Sequence, residues 1–246
     1  MELQNNPPMD QTWYQRTQIL YGAERMQRLA AAHVLVVGLG GVGAYAAEML
    51  CRAGVGRLTL VDADAVSLTN INRQLPALHS TIGQSKVQLL RQRFLDINPD
   101  VRITAIAEFM DEAAVPGLLD AAPYDFVADA IDTVRPKCAL IEGCMDRRIP
   151  VISAMGAGAK TDIRRIRQTD ISKTTQCGLA KAVRTALRRD GYARRALPVI
   201  FSDEPVRREA ILTVEGERNK KSTAGTTAYI TATFGNWLAW YILEHL

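Results

Sequence analysis

The sequence predicts an α/β fold: a Rossmann-like parallel sheet with a glycine turn, and an elaborated C-terminal half of short strands and a long terminal helix. Three observations predict it. An apolar run at 34–37 drops into the glycine turn "GLGGVG" (38–43). Strand-like and helix-like segments then alternate, which is the pattern of βαβ units. A carboxylate, Asp62, ends the second strand-like run, 19 residues after Gly43, where a nucleotide ribose is held in such folds.

Taken in order, the β-forming runs are "HVLVVG" (33–38), "RLTLVD" (57–62), "VRITAIAE" (101–108), "DFVADAI" (125–131) and "IPVISA" (149–154). Helical patterns separate them at 42–53, 84–97, 112–121 and 136–147. Right-handed crossovers place the strand ends, and with them the ligand site, along one edge of the sheet. From about residue 156 the rhythm changes. "GAGAK" (156–160) reads as a loop, and a basic stretch follows it. A helix over 178–190, an irregular arm, and short strands at 198–202 and 210–215 come next. No internal repeat divides the chain. We expect one domain over 1–246, with a nucleotide-binding half at about 30–155 and a substrate-facing half at about 156–246.

The last segment, "GTTAYITATFGNWLAWYILEHL" (225–246), has nearly the length of a membrane span. Thr226, Thr227, Thr231, Thr233 and Asn236 interrupt it, so a helix buried in the core or in a subunit interface is expected instead of a span. The N-terminal stretch carries no basic segment followed by an apolar core, so no secretory signal is expected. Four cysteines, at 51, 138, 144 and 177, form no CxxC pair. A zinc knuckle or dense disulfide frame is thereby disfavoured and a cytoplasmic location expected. Net charge is only +4, but residues 160–221 hold 16 Lys or Arg against 8 Asp or Glu. That local excess points to a polyanion, nucleic acid before membrane.

Gly38, Gly40, Gly41 and Gly43 let backbone amides and a helix N-terminus approach a pyrophosphate. The turn and Asp62 together fit both a nicotinamide dinucleotide and ATP. Two cations decide between them. Arg73 follows the second strand closely, and Lys86 falls in the first turn of the next helix, where the helix dipole disfavours a positive charge. Cations beside a helix N-terminus suit a triphosphate better than a dinucleotide. "DAID" (129–132) then sets two carboxylates at the rim of the sheet, plausible ligands for Mg2+ bridging phosphates. Asp129 has the competing role of orienting backbone, so Asp132 is the expected metal residue. The ligands expected are ATP and Mg2+.

These residues carry a resemblance. "GLGGVG", Asp62, "NINRQ" (70–74), Lys86 and Asp132 resemble the ubiquitin-activating-type adenylating enzymes over about residues 13–154. Members of that superfamily convert a carboxylate into an acyl adenylate. A narrower set of motifs covers most of the chain: "DAIDTVRPKCALI" (129–141), "TDISKTTQCGLAKAVRTALRR" (169–189), "VIFSDEPV" (199–206) and "TATFG" (231–235). In that order they resemble the tRNA threonylcarbamoyladenosine dehydratase family. The resemblance implies ATP-dependent cyclisation of the threonylcarbamoyl group on an adenosine next to the anticodon. It implies that Asp62 holds the ribose, that Arg73 and Lys86 bind phosphates, and that Asp132 holds the metal. Asp64, Asn70 and Gln74 complete the nucleotide pocket, and Arg73, Lys86 and Asp132 are the catalytic set. Arg16 is the weaker candidate for an arginine lent across a dimer. The implied partners are tRNA and a second copy of the chain, with an accessory sulfur-transfer or redox protein left open.

An activator of a small sulfur-carrier protein is the alternative, weakened by the missing pair of CxxC motifs. An NAD-dependent oxidoreductase is disfavoured because no second nucleotide-binding half is visible. Cys177 precedes a helix in the region where some relatives place a thioester-forming cysteine, but packing is the preferred role. On that helix Lys181, Arg184 and Arg188 share a face at helical spacing, opposite Leu179, Val183 and Leu187. They are expected to form a basic stripe that tracks RNA phosphates, extended by the arginine pairs at 164–165, 194–195 and 207–208 and by "RNKK" (218–221).

Overall fold

The central run of apolar β-formers becomes β1 (His33–Val37), buried along its whole length. A strand covered on both faces has no polar side to alternate with, which is why it reads as a continuous apolar run. In the computed structural model, which describes residues 12–213 and 222–246, β1 is the third strand of a seven-stranded sheet. The strands are β2 (Arg57–Val61), β3 (Arg102–Ile106), β4 (Phe126–Asp129), β5 (Val151–Ala154), β6 (Ile166–Asp170) and β7 (Pro198–Ser202). Their spatial order is β3-β2-β1-β4-β5-β7-β6. All neighbours are parallel except β6 and β7. Because β1 has β2 on one side and β4 on the other, the chain reverses direction across the sheet there. A crevice opens at such a switch point, outside the carboxyl ends of the strands.

The expected helices form as α2 (Gly43–Ala53), α3 (Lys86–Ile97), α4 (Val115–Asp120) and α5 (Val134–Arg147). α4 is shorter than its pattern because the Asp111 carboxylate accepts the amides of Ala113 and Ala114, holding a turn in front of it. In the second half, α6 (Gly178–Arg189) and α7 (Ala228–His245) match the reading, and β8 (Ile211–Thr213) pairs with β9 (Ser222–Ala224) in a small hairpin.

Three elements lie outside the sequence pattern: α1, β6 and β9. α1 (Gln15–Ala31) precedes the sheet, kinked at Gly22 where φ is 77°. The basic stretch around 160–170 contributes β6, so the sheet is mixed and not purely parallel.

α7 lies against α2 and the sheet, burying Ile230, Phe234, Leu238 and Ile242. Gly235 permits the close approach: a Cβ there would sit 2.5 Å from the Val42 carbonyl oxygen on the helix it crosses. Among the described residues no helix is long and apolar enough to cross a membrane. Cys51, Cys138 and Cys144 are buried free thiols, and burial pushes them up to about 12, about 11 and about 12.

Candidate nucleotide site

The ends of β1, β2, β4 and β5 open onto one cleft of about 320 Å³. Gly38, Gly40 and Gly41 form its floor. Gly38 is left-handed, with φ 88°, and a Cβ there would lie 2.8 Å from the Ala130 carbonyl oxygen. Gly43 sits behind the floor instead of lining it. A Cβ at Gly43 would come within 1.8 Å of the Gly38 carbonyl oxygen, so the turn closes onto α2 only because no side chain is present. α2 starts with no side-chain cap, which leaves its first amides and its positive dipole end turned to the cleft.

Asp62 leaves β2 and lines the same cleft. Its carboxylate accepts the amides of Leu39, at 2.6 Å, and Asp64, at 2.8 Å. Burial raises its pKa above the usual carboxylate value, against the opposing pull of Lys86 and the two amides. Lys86 is the first residue of α3 and only 3 % exposed. Its ammonium lies 2.7 Å from the Asp64 carboxylate, and both residues line the cleft. The lysine that the helix dipole disfavours is therefore a buried cation facing the glycine turn.

Arg73 and Gln74 also line the cleft. The side-chain bonds of Arg73 to described residues run through Nη1, to the Thr69 carbonyl at 2.8 Å and to Asn72 Oδ1 at 3.0 Å. Nε and Nη2 make no hydrogen bond to described residues. Gln74 is buried, and its Oε1 has no hydrogen-bond partner among the described residues. Asn70 does not line the cleft. It is buried beneath the loop and its Oδ1 accepts the Ser67 amide, so it shapes the segment that carries Arg73.

The two acids of "DAID" separate. Asp132 lines the cleft at its rim, and the Thr133 hydroxyl donates to its Oδ1 at 3.3 Å. Asp129 is fully buried. It accepts from Lys137 Nζ and Ser153 Oγ, both at 2.6 Å, and from the Ile131 amide at 3.0 Å. Asp129 thus takes the backbone-orienting role expected for it, its oxygens engaged by protein donors that include the Ile131 amide.

The donor set at Asp132 fits Mg2+ in one particular way. No cluster of three or more His, Cys, Asp or Glu residues suited to a metal occurs among the described residues. Mg2+ is commonly held by one or two carboxylates plus substrate phosphates, and a single rim acid facing a phosphate cradle meets that need.

Several cleft residues are ones the sequence did not assign to the site. Glu108, Phe109 and Met110 leave β3 and reach the cleft, as do Leu179 from α6 and Thr231 from α7. The strand-exit rule that located Asp62 applies equally to "EFM" after the third strand.

Cys177 caps α6, its sulfur accepting the Ala180 amide at 3.5 Å. It stands behind Gly156, which lines the cleft and where a Cβ would be 3.4 Å from the sulfur. Nearby, the buried Lys160 ammonium donates to the carbonyls of Gln176 and Glu204. Burial lowers its pKa. The Glu204 carboxylate accepts the Thr161 and Asp162 amides, so the entry to the second half is pinned.

The basic stripe on α6 is only partly as expected. Lys181 and Arg188 are exposed. Arg184 instead turns inward, its Nη1 donating to the carbonyls of Ile171 and Thr174 and to the Thr174 hydroxyl. Leu179, assigned to the packed side, borders the cleft. Several arginines of the basic half pair with local acids: Arg164 with Asp162, Arg165 and Arg167 with Asp203, and Arg195 with Asp146. "RNKK" lies outside the described residues. Arg16 is exposed on α1 and does not line its own chain's cleft.

Comparison with known proteins agrees with this geometry. The chain is 47% identical over 191 residues to a Bacillus subtilis protein named tRNA threonylcarbamoyladenosine dehydratase, covering 78% of this chain and 74% of that one. An Escherichia coli protein of the same name is 38% identical over 242 residues, covering 91% of this chain and 90% of its own length. The crystal structure of E. coli tRNA N6-threonylcarbamoyladenosine dehydratase, TcdA, in complex with ATP superimposes with a TM-score of 0.84 at 36% identity, over 94% of this chain and 92% of that one. The ThiF family model matches residues 14–246, and with the glycine turn, Asp62 and Lys86 arranged around one cleft, the chain belongs to the ThiF family.

Proposed function

We infer that this protein is an ATP-dependent tRNA threonylcarbamoyladenosine dehydratase, working through an acyl adenylate. One observation carries the reading: the glycine turn, Asp62, Arg73, Lys86 and Asp132 all face a single cleft at the switch point of the sheet. The names of the relatives that align over most of the chain supply the substrate.

The chemistry follows from what faces the cleft. The uncapped start of α2 and the glycine amides take phosphate oxygens. Asp62 accepts the ribose hydroxyls with the lone pairs its two backbone donors leave over. Arg73 and Lys86 hold the phosphates, and Asn70 and Gln74 fix the loop between them. Asp132 would hold Mg2+, whose contribution when bound is neutralisation of phosphate charge. An oxygen of the threonyl carboxylate attacks the α-phosphorus and the bond to pyrophosphate breaks. Cations fixed in place stabilise the charge that develops there. A nucleophilic atom of the same threonylcarbamoyl group then attacks the activated carbonyl, loses its proton and closes a ring, and AMP departs with the former carboxylate oxygen. The second step is intramolecular, so holding the group in a near-attack geometry supplies much of its acceleration. It requires no enzyme nucleophile, consistent with Cys177 serving as a cap.

The chain works as one unit in the cytoplasm, its residues 30–155 binding nucleotide and 156–246 facing the tRNA. It acts as a homodimer, a reading supported by the exposed apolar Ile19 and Leu20 beside Arg16 on α1. The test is nucleoside mass spectrometry of tRNA from cells lacking the protein. The cyclic nucleoside should vanish and the open acid accumulate, with Asp132→Ala and Arg73→Ala failing to restore the cyclic form. An unchanged profile on deletion rejects the assignment.

A further inference from the structure

Three walls of the cleft meet at one buried carboxylate. The exit of β4 supplies Ala130, Ile131 and Asp132 to the cleft, the first turn of α5 supplies Thr133 and Pro136, and the exit of β5 supplies Ala154 and Gly156. Asp129, at the end of β4, is bonded to all three elements: to the Ile131 amide of its own loop, to Lys137 of α5 and to Ser153 of β5. Asp129, Lys137 and Ser153 are each 0 % exposed.

Burying an ion pair costs desolvation that apolar residues of similar size would not incur, so its presence in a core is weak evidence for stability. A Leu or Met in place of Lys137 would fill the same interior. What an ion pair adds is direction, because short charged hydrogen bonds fix distances that apolar packing leaves soft. Here the direction fixed is that of the loop ending in Asp132, three residues beyond Asp129.

We propose that Asp129, clamped by Lys137 and Ser153, is a positioning residue that sets the Ala130–Ile131–Asp132 loop so that the Asp132 carboxylate meets a metal ion on the nucleotide phosphates. The proposal rests on the reading of Asp132 as the metal residue. Groups that position a metal-binding side chain without touching the metal typically change metal affinity by about 10- to 100-fold when removed.

The test is calorimetric titration of the full chain with ATP, with and without Mg2+, reading the gain in ATP affinity that Mg2+ confers. Asp132→Ala should abolish the gain. If the gain survives in Asp132→Ala, the metal role of Asp132 fails and this inference falls with it. The paired variant Asp129→Val/Lys137→Met removes both charges together, leaving no unpaired ion in the core. Its metal-free affinity for ATP should stay within about threefold of the unmodified chain, while the Mg2+-dependent gain falls about tenfold. A folded pair variant that keeps the full gain, alongside an Asp132→Ala that loses it, overturns the positioning role alone. Should the pair variant fail to fold, Ser153→Ala retains the ion pair and removes one donor. It should reduce the gain about threefold and lower the melting temperature, since a buried charged acceptor loses a donor, and an undiminished gain there overturns the proposal as well.

Discussion

The Lys86 ammonium lies 2.7 Å from the Asp64 carboxylate, with the lysine buried and the acid exposed. The pair spans the boundary between cleft and solvent, so its two ends differ in what they contribute. Charge-assisted bonds from a buried ammonium to phosphate are worth about 2 kcal/mol, or roughly thirtyfold in affinity. Lys86→Met should weaken ATP binding by that amount in a calorimetric titration. Asp64→Asn should lower stability by about 1–3 kcal/mol in a denaturant melt, because it leaves the buried Lys86 ammonium without its carboxylate.

The glycine turn separates two kinds of constraint. At Gly40 the nearest atom a Cβ would meet is Gln74 Nε2, 3.7 Å away, whereas at Gly43 it is backbone oxygen at 1.8 Å. Gly40→Ala should therefore fold with a melting temperature close to that of the unmodified chain, yet lose ATP affinity by about tenfold or more as the methyl enters the phosphate cradle. Gly43→Ala should lose stability by about 2 kcal/mol or more, because the Gly38 carbonyl or α2 must shift. Denaturant melts paired with nucleotide titration distinguish the two outcomes.

How far the sequence revealed this architecture depends on what covers each segment. β1 was legible because burial on both faces gives an unbroken apolar run over 34–37, and β2 because Leu58, Leu60 and Val61 are apolar β-formers. β6 was not: "IRQTD" is an edge strand whose residues beyond Ile166 are exposed or half-buried, so it reads as a polar loop. α1 buries only Met26 and Leu29, too faint a stripe to mark a helix. Helical spacing put Arg184 on one face with Lys181 and Arg188, but spacing gives direction and not depth. The pattern favoured Asp132 as the rim acid of "DAID", but it could not show the ion pair that holds Asp129 inward, since Lys137 looks in sequence like any lysine of a first helical turn.

The hub beneath Asp132 has its own stability signature. Lys137→Met alone strands the Asp129 carboxylate in the core and should cost about 3–5 kcal/mol. Asp129→Val/Lys137→Met should recover most of that loss, and urea denaturation of both variants measures the difference.

His33 makes stability depend on pH. Burial holds its pKa below the ordinary 6.5, aided by Arg57, while Asp125 and the Pro123 backbone pull the other way. The unfolded chain consequently binds the proton more readily than the folded one. Stability falls as pH drops below about 6.5 and stops falling once pH passes the folded pKa. Thermal melts between pH 7 and pH 5 should show this loss, and His33→Gln should flatten the slope in that window.

The half proposed to face tRNA offers a last contrast on one helix. Lys181 and Arg188 stand exposed on α6, whereas Arg184 is committed to Ile171 and Thr174. Phosphate contacts release counterions, so each lost contact lowers the salt dependence of binding by about 0.7–0.9 in log-log slope. Lys181→Glu/Arg188→Glu should weaken tRNA binding and flatten that slope by roughly one to two, with ATP affinity unchanged. Arg184→Ala should act otherwise. It frees the 171–174 turn in front of Cys177 and α6, so it should lower the melting temperature while leaving the salt slope where it was. Filter binding across a salt series, run beside thermal melts, separates a residue that meets RNA from one that holds the helix in place. A salt slope unchanged in the Lys181/Arg188 pair would remove α6 from the RNA interface.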